Sequence, residues 1–186
     1  DHVAPRYDVR LLRRDGTSFP AELDARVFRM EGEPLIQVCV RDISERKRAE
    51  EERLQLVTAI EHAAEIIAIA DTNARIRYIN SAVETITGYA REALIHQQLY
   101  VLGKGPHDPA SYTAMVDTLG KGKVWSGRTI NRKKDGSGFE TEVSISPVRG
   151  EDREVIGYVA VMRDVTNEVA LEAQLRQAAK MEALGT

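Results

Sequence analysis

The sequence predicts an α+β protein: a five-stranded antiparallel sheet with helices on one face, preceded by a three-stranded sheet and flanked by connector helices. Three observations carry this. Apolar runs of strand length alternate with polar residues and are separated by turn residues, among them Asp15-Gly16, Asp135-Gly136 and Gly150-Glu151-Asp152. Two charged stretches, starting at Glu45 and Asn167, are free of proline and rich in good helix formers. The opening segment also recurs: Asp15-Gly16, Phe19 and Glu22 match Asp135-Gly136, Phe139 and Glu142 at an offset of 120. Arg41-Asp42-Ile43-Ser44 matches Arg163-Asp164-Val165-Thr166 at 122, the two extra residues falling in a turn, where insertion is cheapest.

In order, Tyr7 to Arg13, Ser18 to Met30 and Leu35 to Asp42 read as strands, with Glu31-Gly32-Glu33-Pro34 as the second turn. Three bare strands are a poor independent fold, so this sheet is expected to lay a face on the connector helix or on a second chain. Glu45 to about Ala64 reads as a helix with Leu54, Val57, Ile60 and Ala64 on one side. Ile66 to Ala70 and Arg75 to Ile79 form a hairpin, and Asn80 or Ser81 is placed to cap the helix that Gly88 ends. A helical turn and loop follow, then Asp108 as N-cap with Pro109 at the first helical position. That helix carries Met115, Val116 and Leu119 on its apolar side. Val124 to Lys133, Gly138 to Val148 and Val155 to Thr166 are the last strands, and Leu171, Leu175 and Ala178 mark a helix seam beyond them.

Length and composition bound the function. With 186 residues, 42% hydrophobic and 30% charged, the chain can bury a core, and its net charge of −3 with interspersed signs excludes a strongly basic nucleic-acid-binding class. Apolar runs such as Ile66 to Ala70 are far short of the roughly 20 residues of a membrane span, and the lone Cys39 suits a reducing compartment and a buried strand position. A cytoplasmic location is expected. The chain opens on Asp1 without a targeting pattern, which reads as a piece of a longer protein. A glycine-rich phosphate loop, a nucleophile elbow and a metal-ligand cluster are all missing, and Glu140 and Glu142 share what reads as a solvated strand face. No catalytic residue is assigned, and this segment is not expected to be an enzyme.

Ile79-Asn80, Thr87-Gly88-Tyr89 with Glu92-Ala93-Leu94, Trp125-Ser126-Gly127, Asn131 to Gly136 and Arg163-Asp164-Val165-Thr166 follow one another as in a PAS domain. Residues 54–166 resemble a complete PAS domain and residues 1–44 the carboxy-terminal strands of a preceding one, with 45–60 as connector. Lys180 to Thr186 is similar to the start of the dimerisation helix of bacterial-type sensor histidine kinases, so 167–186 is expected to be an exit helix.

The resemblance implies a sensory and relay module of a two-component system, coupling a ligand or upstream input to a kinase in cis, and through it to a response regulator. Asp164 and Thr166, with Asp42 and Ser44 upstream, would tie each last strand to its outgoing helix, since a carboxylate binds the amides at a helix start. A homodimer through helices 45–60 and 167–186 is expected, although α-helical packing of the tail back on its own sheet is the simpler alternative. Tyr89 and Trp125 are candidate pocket residues, or ordinary core. No cofactor is expected. Haem would need an axial ligand such as His96 or His107, and a flavin photoadduct would need a cysteine between Asn80 and Val124, where none stands; noncovalent flavin stays open. The alternatives are a non-sensing interaction module and an input to a cyclic-dinucleotide enzyme.

Overall fold

The computed structural model describes residues 6–103 and 109–184. The chain divides into two compact units, Asp1–Thr58 and Ala59–Thr186.

In the first unit β1 (Tyr7–Leu12), β2 (Ser18–Met30) and β3 (Glu33–Asp42) form an antiparallel sheet in that order. Gly16 takes the left-handed conformation that the first turn demands. Glu31 and Gly32 both have positive φ, 55° and 90°, as a two-residue hairpin turn of the primed type requires. Two residues suffice to reverse the chain, so Glu33 and Pro34, expected in the turn, belong to β3. Proline is tolerated there because β3 is an edge strand. Helix α1 (Ser44–Glu61) follows.

Burial in this unit departs from the sequence expectation. Ala21 and Ile43 are buried, but every residue of β3 is exposed, Cys39 included, against its expected buried place. Alternation prepared a face, and among the described residues of this unit nothing covers it. Helix α1 buries no residue; Leu54 and Val57 of its expected apolar side are 66% and 42% exposed. Its first turns instead engage the sheet through ion pairs, Arg46 with Glu22 at 3.6 Å and Lys47 with Asp8 at 3.2 Å.

The second unit carries β4 (Ile66–Ala70), β5 (Ile76–Ile79), α2 (Ala82–Thr87), α3 (Arg91–Leu94), a 3-10 turn at Leu99–Gly103 and α4 (Pro109–Gly120). It closes with β6 (Trp125–Arg132), β7 (Gly138–Arg149), β8 (Val155–Asp164) and α5 (Thr166–Leu184). The five strands pair antiparallel in the order β5-β4-β8-β7-β6, so the unit's first strand lies beside its last. Ile66, Ala68, Val143, Ile145, Ala160 and Met162 share the covered face with Ala82 and Val83 of α2 and Leu94 of α3; Met115 and Leu119 of α4 pack against this core. Gly157 permits the β4–β8 approach, since a Cβ there would strike the Ala70 carbonyl.

Two expectations shift here. Helix α1 ends at Glu61, short of Ala64, because Asn80 and Ser81 take its terminal carbonyls: Asn80 Nδ2 donates to Ile60 O at 2.9 Å and Ser81 Oγ to Glu61 O at 2.6 Å. Neither caps α2 with its side chain, although Ser81 holds the N-cap position. The Asp108 cap lies outside the described residues, as do His107 and Gly185-Thr186; Pro109 does open α4. No helix among the described residues is long and apolar enough to cross a membrane.

Candidate functional site

The junction of β8 with α5 is built from backbone and two short side chains. Asp164 Oδ1 accepts from Thr166 N at 3.0 Å and from Thr166 Oγ1 at 2.6 Å. The Thr166 hydroxyl oxygen in turn accepts from Glu140 N of β7 at 2.9 Å, and Val165 N donates to Glu140 O at 2.9 Å. Val165 is 3% exposed and Val169 N bonds back to Val165 O, so the first turn of α5 is pinned to β7 from both sides. Each such bond contributes about 1 kcal/mol, and together they leave α5 little freedom to pivot without moving the sheet. Arg163 and Glu168 add an ion pair at the surface.

The β3–α1 junction repeats part of this. Ser44 N donates to Asp42 Oδ1 at 2.9 Å, and Ile43 N to Pro20 O at 3.1 Å. Arg13 binds the other Asp42 oxygen at 2.8 Å. The Ser44 hydroxyl and amide, then Arg13, hold the Asp42 carboxyl below its ordinary value. What is lacking is a donor on β2: Pro20 stands where β7 has Glu140, and proline has no amide hydrogen to offer Ser44.

Between the sheet and α4 lies a cavity of about 320 Å3, lined mostly by apolar side chains, including Met115, Val116, Leu119, Trp125, Ile145 and Met162. One corner is polar. Asn131 and Thr141 are 2% and 0% exposed; Asn131 Nδ2 donates to Thr141 Oγ1 at 2.5 Å, and Thr141 Oγ1 donates to Thr129 O at 3.1 Å. Thr129 and Asn131 face the cavity, so an apolar occupant with one hydrogen-bonding edge has a defined orientation in it.

Of the two pocket candidates, Trp125 lines the cavity and Tyr89 does not; past the left-handed Gly88 the chain turns Tyr89 onto the core outside it. His96 is exposed and away from the cavity lining, which gives haem no axial ligand at that position. Cys39 lies on β3 of the first unit, so the cavity lining holds no thiol for a flavin adduct, while its apolar walls and polar corner remain compatible with a noncovalent planar ligand. Among the described residues no cluster of three or more His, Cys, Asp or Glu residues could hold a metal. Glu140, expected only to line a solvated face, contributes through its backbone.

Residues 54–165 match the PAS fold family, and residues 2–45 match a PAS domain family. The chain belongs to the PAS family. A nitrogen fixation regulatory protein of Klebsiella oxytoca is 32% identical over 119 residues, 64% of this chain and 24% of that protein. Hybrid signal transduction histidine kinase L of Dictyostelium discoideum is 30% identical over 115 residues, 61% of this chain and 6% of that protein. The chain therefore spans a quarter or less of these two relatives. Among solved structures, one reported as a flavin-analogue study of Light-Oxygen-Voltage domain mechanism superposes with a TM-score of 0.55 at 26% identity, covering 68% of this chain and 96% of that one. PAS units of signalling proteins are thus the company in which the cavity and the exit junction stand.

The sequence named Asn80 but placed its role wrongly, because its partners lie at and just beyond the end of α1. Asn80 is fully buried; beyond its bond to Ile60 O it donates to Glu65 O and accepts from Ile67 N, both at 2.9 Å. Local pattern pointed it forward to α2. Only the fold shows that it works backward on α1.

Proposed function

We propose that this chain is the sensory and relay segment of a cytoplasmic two-component sensor histidine kinase. In this reading the cavity of the second unit takes a small apolar ligand, and the occupied sheet reorients α5. Paired α5 helices then set the geometry of a kinase domain in cis, which passes phosphate to a response regulator. The chain itself performs no chemistry. Residues 1–44 serve as the carboxy-terminal part of a first PAS domain, a reading supported by their matching strand register and junction.

The observation that carries the proposal is the bond from Glu140 N to Thr166 Oγ1, which makes the first turn of the exit helix part of the sheet that walls the cavity. Further support comes from α5 itself. From Leu171 to Met181 it is exposed throughout, with Leu171 and Leu175 57% and 63% exposed, so it does not fold back on the sheet and leaves its seam available for a partner. The likeness of Lys180 to Thr186 to a kinase dimerisation helix, and a histidine kinase among the relatives, favour this output over a cyclic-dinucleotide enzyme.

The test uses the parent protein with labelled ATP. An acid-labile phosphohistidine is expected, with Thr166→Val uncoupling its level from the cue. A parent that never autophosphorylates, or a chain that stays strictly monomeric in size-exclusion chromatography with light scattering when α5 is extended, overturns the proposal. Absorption bands of flavin or haem type in the purified protein would identify the occupant.

A further inference from the structure

The carboxylate of Glu61, last residue of α1, is gripped from three directions within the second unit. Tyr78 of β5 donates its hydroxyl at 2.7 Å, Arg91 of α3 its guanidinium at 3.0 Å, and Ser81 its backbone amide at 3.2 Å. Neither the exit junction nor the cavity uses these groups. Five donors, counting the Asn80 and Ser81 side chains on the carbonyls of Ile60 and Glu61, therefore converge on one helix end.

β5 is a strand of four residues; one edge pairs with β4 and the other is bonded to residues 96–99. Ile76 N donates to Gln97 O at 2.9 Å, His96 N to Ile76 O at 2.8 Å, and Leu99 N to Ala74 O at 2.8 Å. Gln98, Leu99 and Tyr100 belong to the cavity wall. At the ends of this pairing Ala74 and His96 take left-handed φ of 58° and 66°, a conformation that residues with a Cβ keep only where the surroundings hold them. A short strand thus holds the α1 clamp through the Tyr78 side chain and, along its other edge, the segment that leads into the cavity wall at Gln98 and Leu99.

We propose that Glu61 is a coupling residue: a displacement of the end of α1 passes through Tyr78 and β5 to the segment 96–99 and so to the cavity wall at Gln98 and Leu99, and an occupant of the cavity acts back on α1 by the same route. Linkage makes the coupling reciprocal. This deepens the sensory reading by naming an input path beside the output one, and it rests on that reading for its biological use alone; the mechanical link is measured without ligand or kinase.

The experiment is amide hydrogen exchange on the full chain with Glu61→Gln, Tyr78→Phe and the double variant. Both single variants should speed exchange about tenfold at Ile76, His96 and Leu99 while leaving Val165 and Val169 at their original rates. The double variant should add little, because both changes cut one link. Unchanged exchange at these three amides, an equal increase across the whole unit, or additive effects in the double variant would each overturn the coupling role. Exchange that changes as expected while the parent's kinase output stays the same in these variants would instead count against the sensory reading.

Discussion

On β2 and β7 the same positions meet the same partners: Ala21 lies opposite Asp42 as Thr141 lies opposite Asp164, and Phe19 opposite Leu11 as Phe139 opposite Asn131. The first turns agree in detail, Asp15 accepting from Thr17 N at 2.9 Å and Asp135 from Ser137 N at 2.8 Å, with Gly16 and Gly136 both left-handed. What differs is everything that depends on a second layer. Ala160 and Met162 of β8 are 0% and 5% exposed; Val38 and Val40, at the matching positions of β3, are 54% and 50% exposed. Asn131 and Thr141 form the polar corner of a cavity, while Leu11 and Ala21 occupy their places in the first copy. The comparison teaches that turn and junction chemistry is local and survives without a core, whereas a binding site needs the covering helices.

The sharpest way to break the comparison is at Gly157, whose counterpart is Leu35. Gly157→Ala drives a Cβ into the Ala70 carbonyl and should destabilise the second unit by about 2 kcal/mol, as overpacking against backbone does. Leu35→Ala should change the first unit little, because β3 has no neighbour on that edge. Trp125, the one tryptophan, reports unfolding of the second unit by fluorescence, and a denaturant midpoint unmoved by Gly157→Ala would show that the β4–β8 approach is looser than described.

Legibility in the sequence follows the same division. The strands themselves, both Asp-Gly turns, the left-handed Gly88 and the Asp-x-Ser/Thr sequences at the strand ends were readable because each depends on residues within a few positions, while bounds moved: β3 starts at Glu33 rather than Leu35, and β8 ends at Asp164 with Thr166 already in α5. Exposure of Cys39 was not, since alternation states which residues share a face and is silent on what covers it. Asn80 misled for a related reason: Asn or Ser before a helix is the usual N-cap signal, yet the same side chain can serve another helix end brought close by the fold. The two pocket aromatics divided, Trp125 to the cavity and Tyr89 to the core, by a backbone turn that periodicity does not encode.

A smaller effect sharpens the contrast between junctions. Thr166→Val leaves the Glu140 amide without its acceptor and removes one partner of Asp164, a loss of about 1–2 kcal/mol for the two bonds, read from the same Trp125 transition. Ser44→Ala should cost less, since Pro20 offers no amide for its hydroxyl to accept; only the hydroxyl's contact with the exposed Asp42 carboxylate is lost, and the bond from Ser44 N persists. Exchange rates at Ile43 and Lys47 would report it. Equal losses at the two sites would mean that the strand-to-hydroxyl bond contributes nothing to holding the exit helix.

The least effect concerns the α1 clamp, which has no counterpart in the first copy. Burial, and then its bond to Glu61, push the Tyr78 hydroxyl from an ordinary 10.0 up to about 12. The folded state therefore holds that proton more tightly than the unfolded chain; its contribution is complete below pH 10.0 and is lost as pH rises toward about 12. Glu61 runs the other way. Its bonds, that from Tyr78 first, hold its carboxyl below 4.5, so its contribution is present above that pH and fades as pH falls through the lowered folded value. Other carboxylates, Asp71 and Asp135 among them, share the acid limb, which makes the alkaline one diagnostic. Subtracting the pH–stability curve of Tyr78→Phe from that of the unmodified chain should leave a difference that is level from above 4.5 up to pH 10.0, shrinks in acid as Glu61 protonates, and shrinks again above pH 10.0. A difference independent of pH up to 12 would mean that the hydroxyl meets solvent and that Glu61 is held by Arg91 and Ser81 alone.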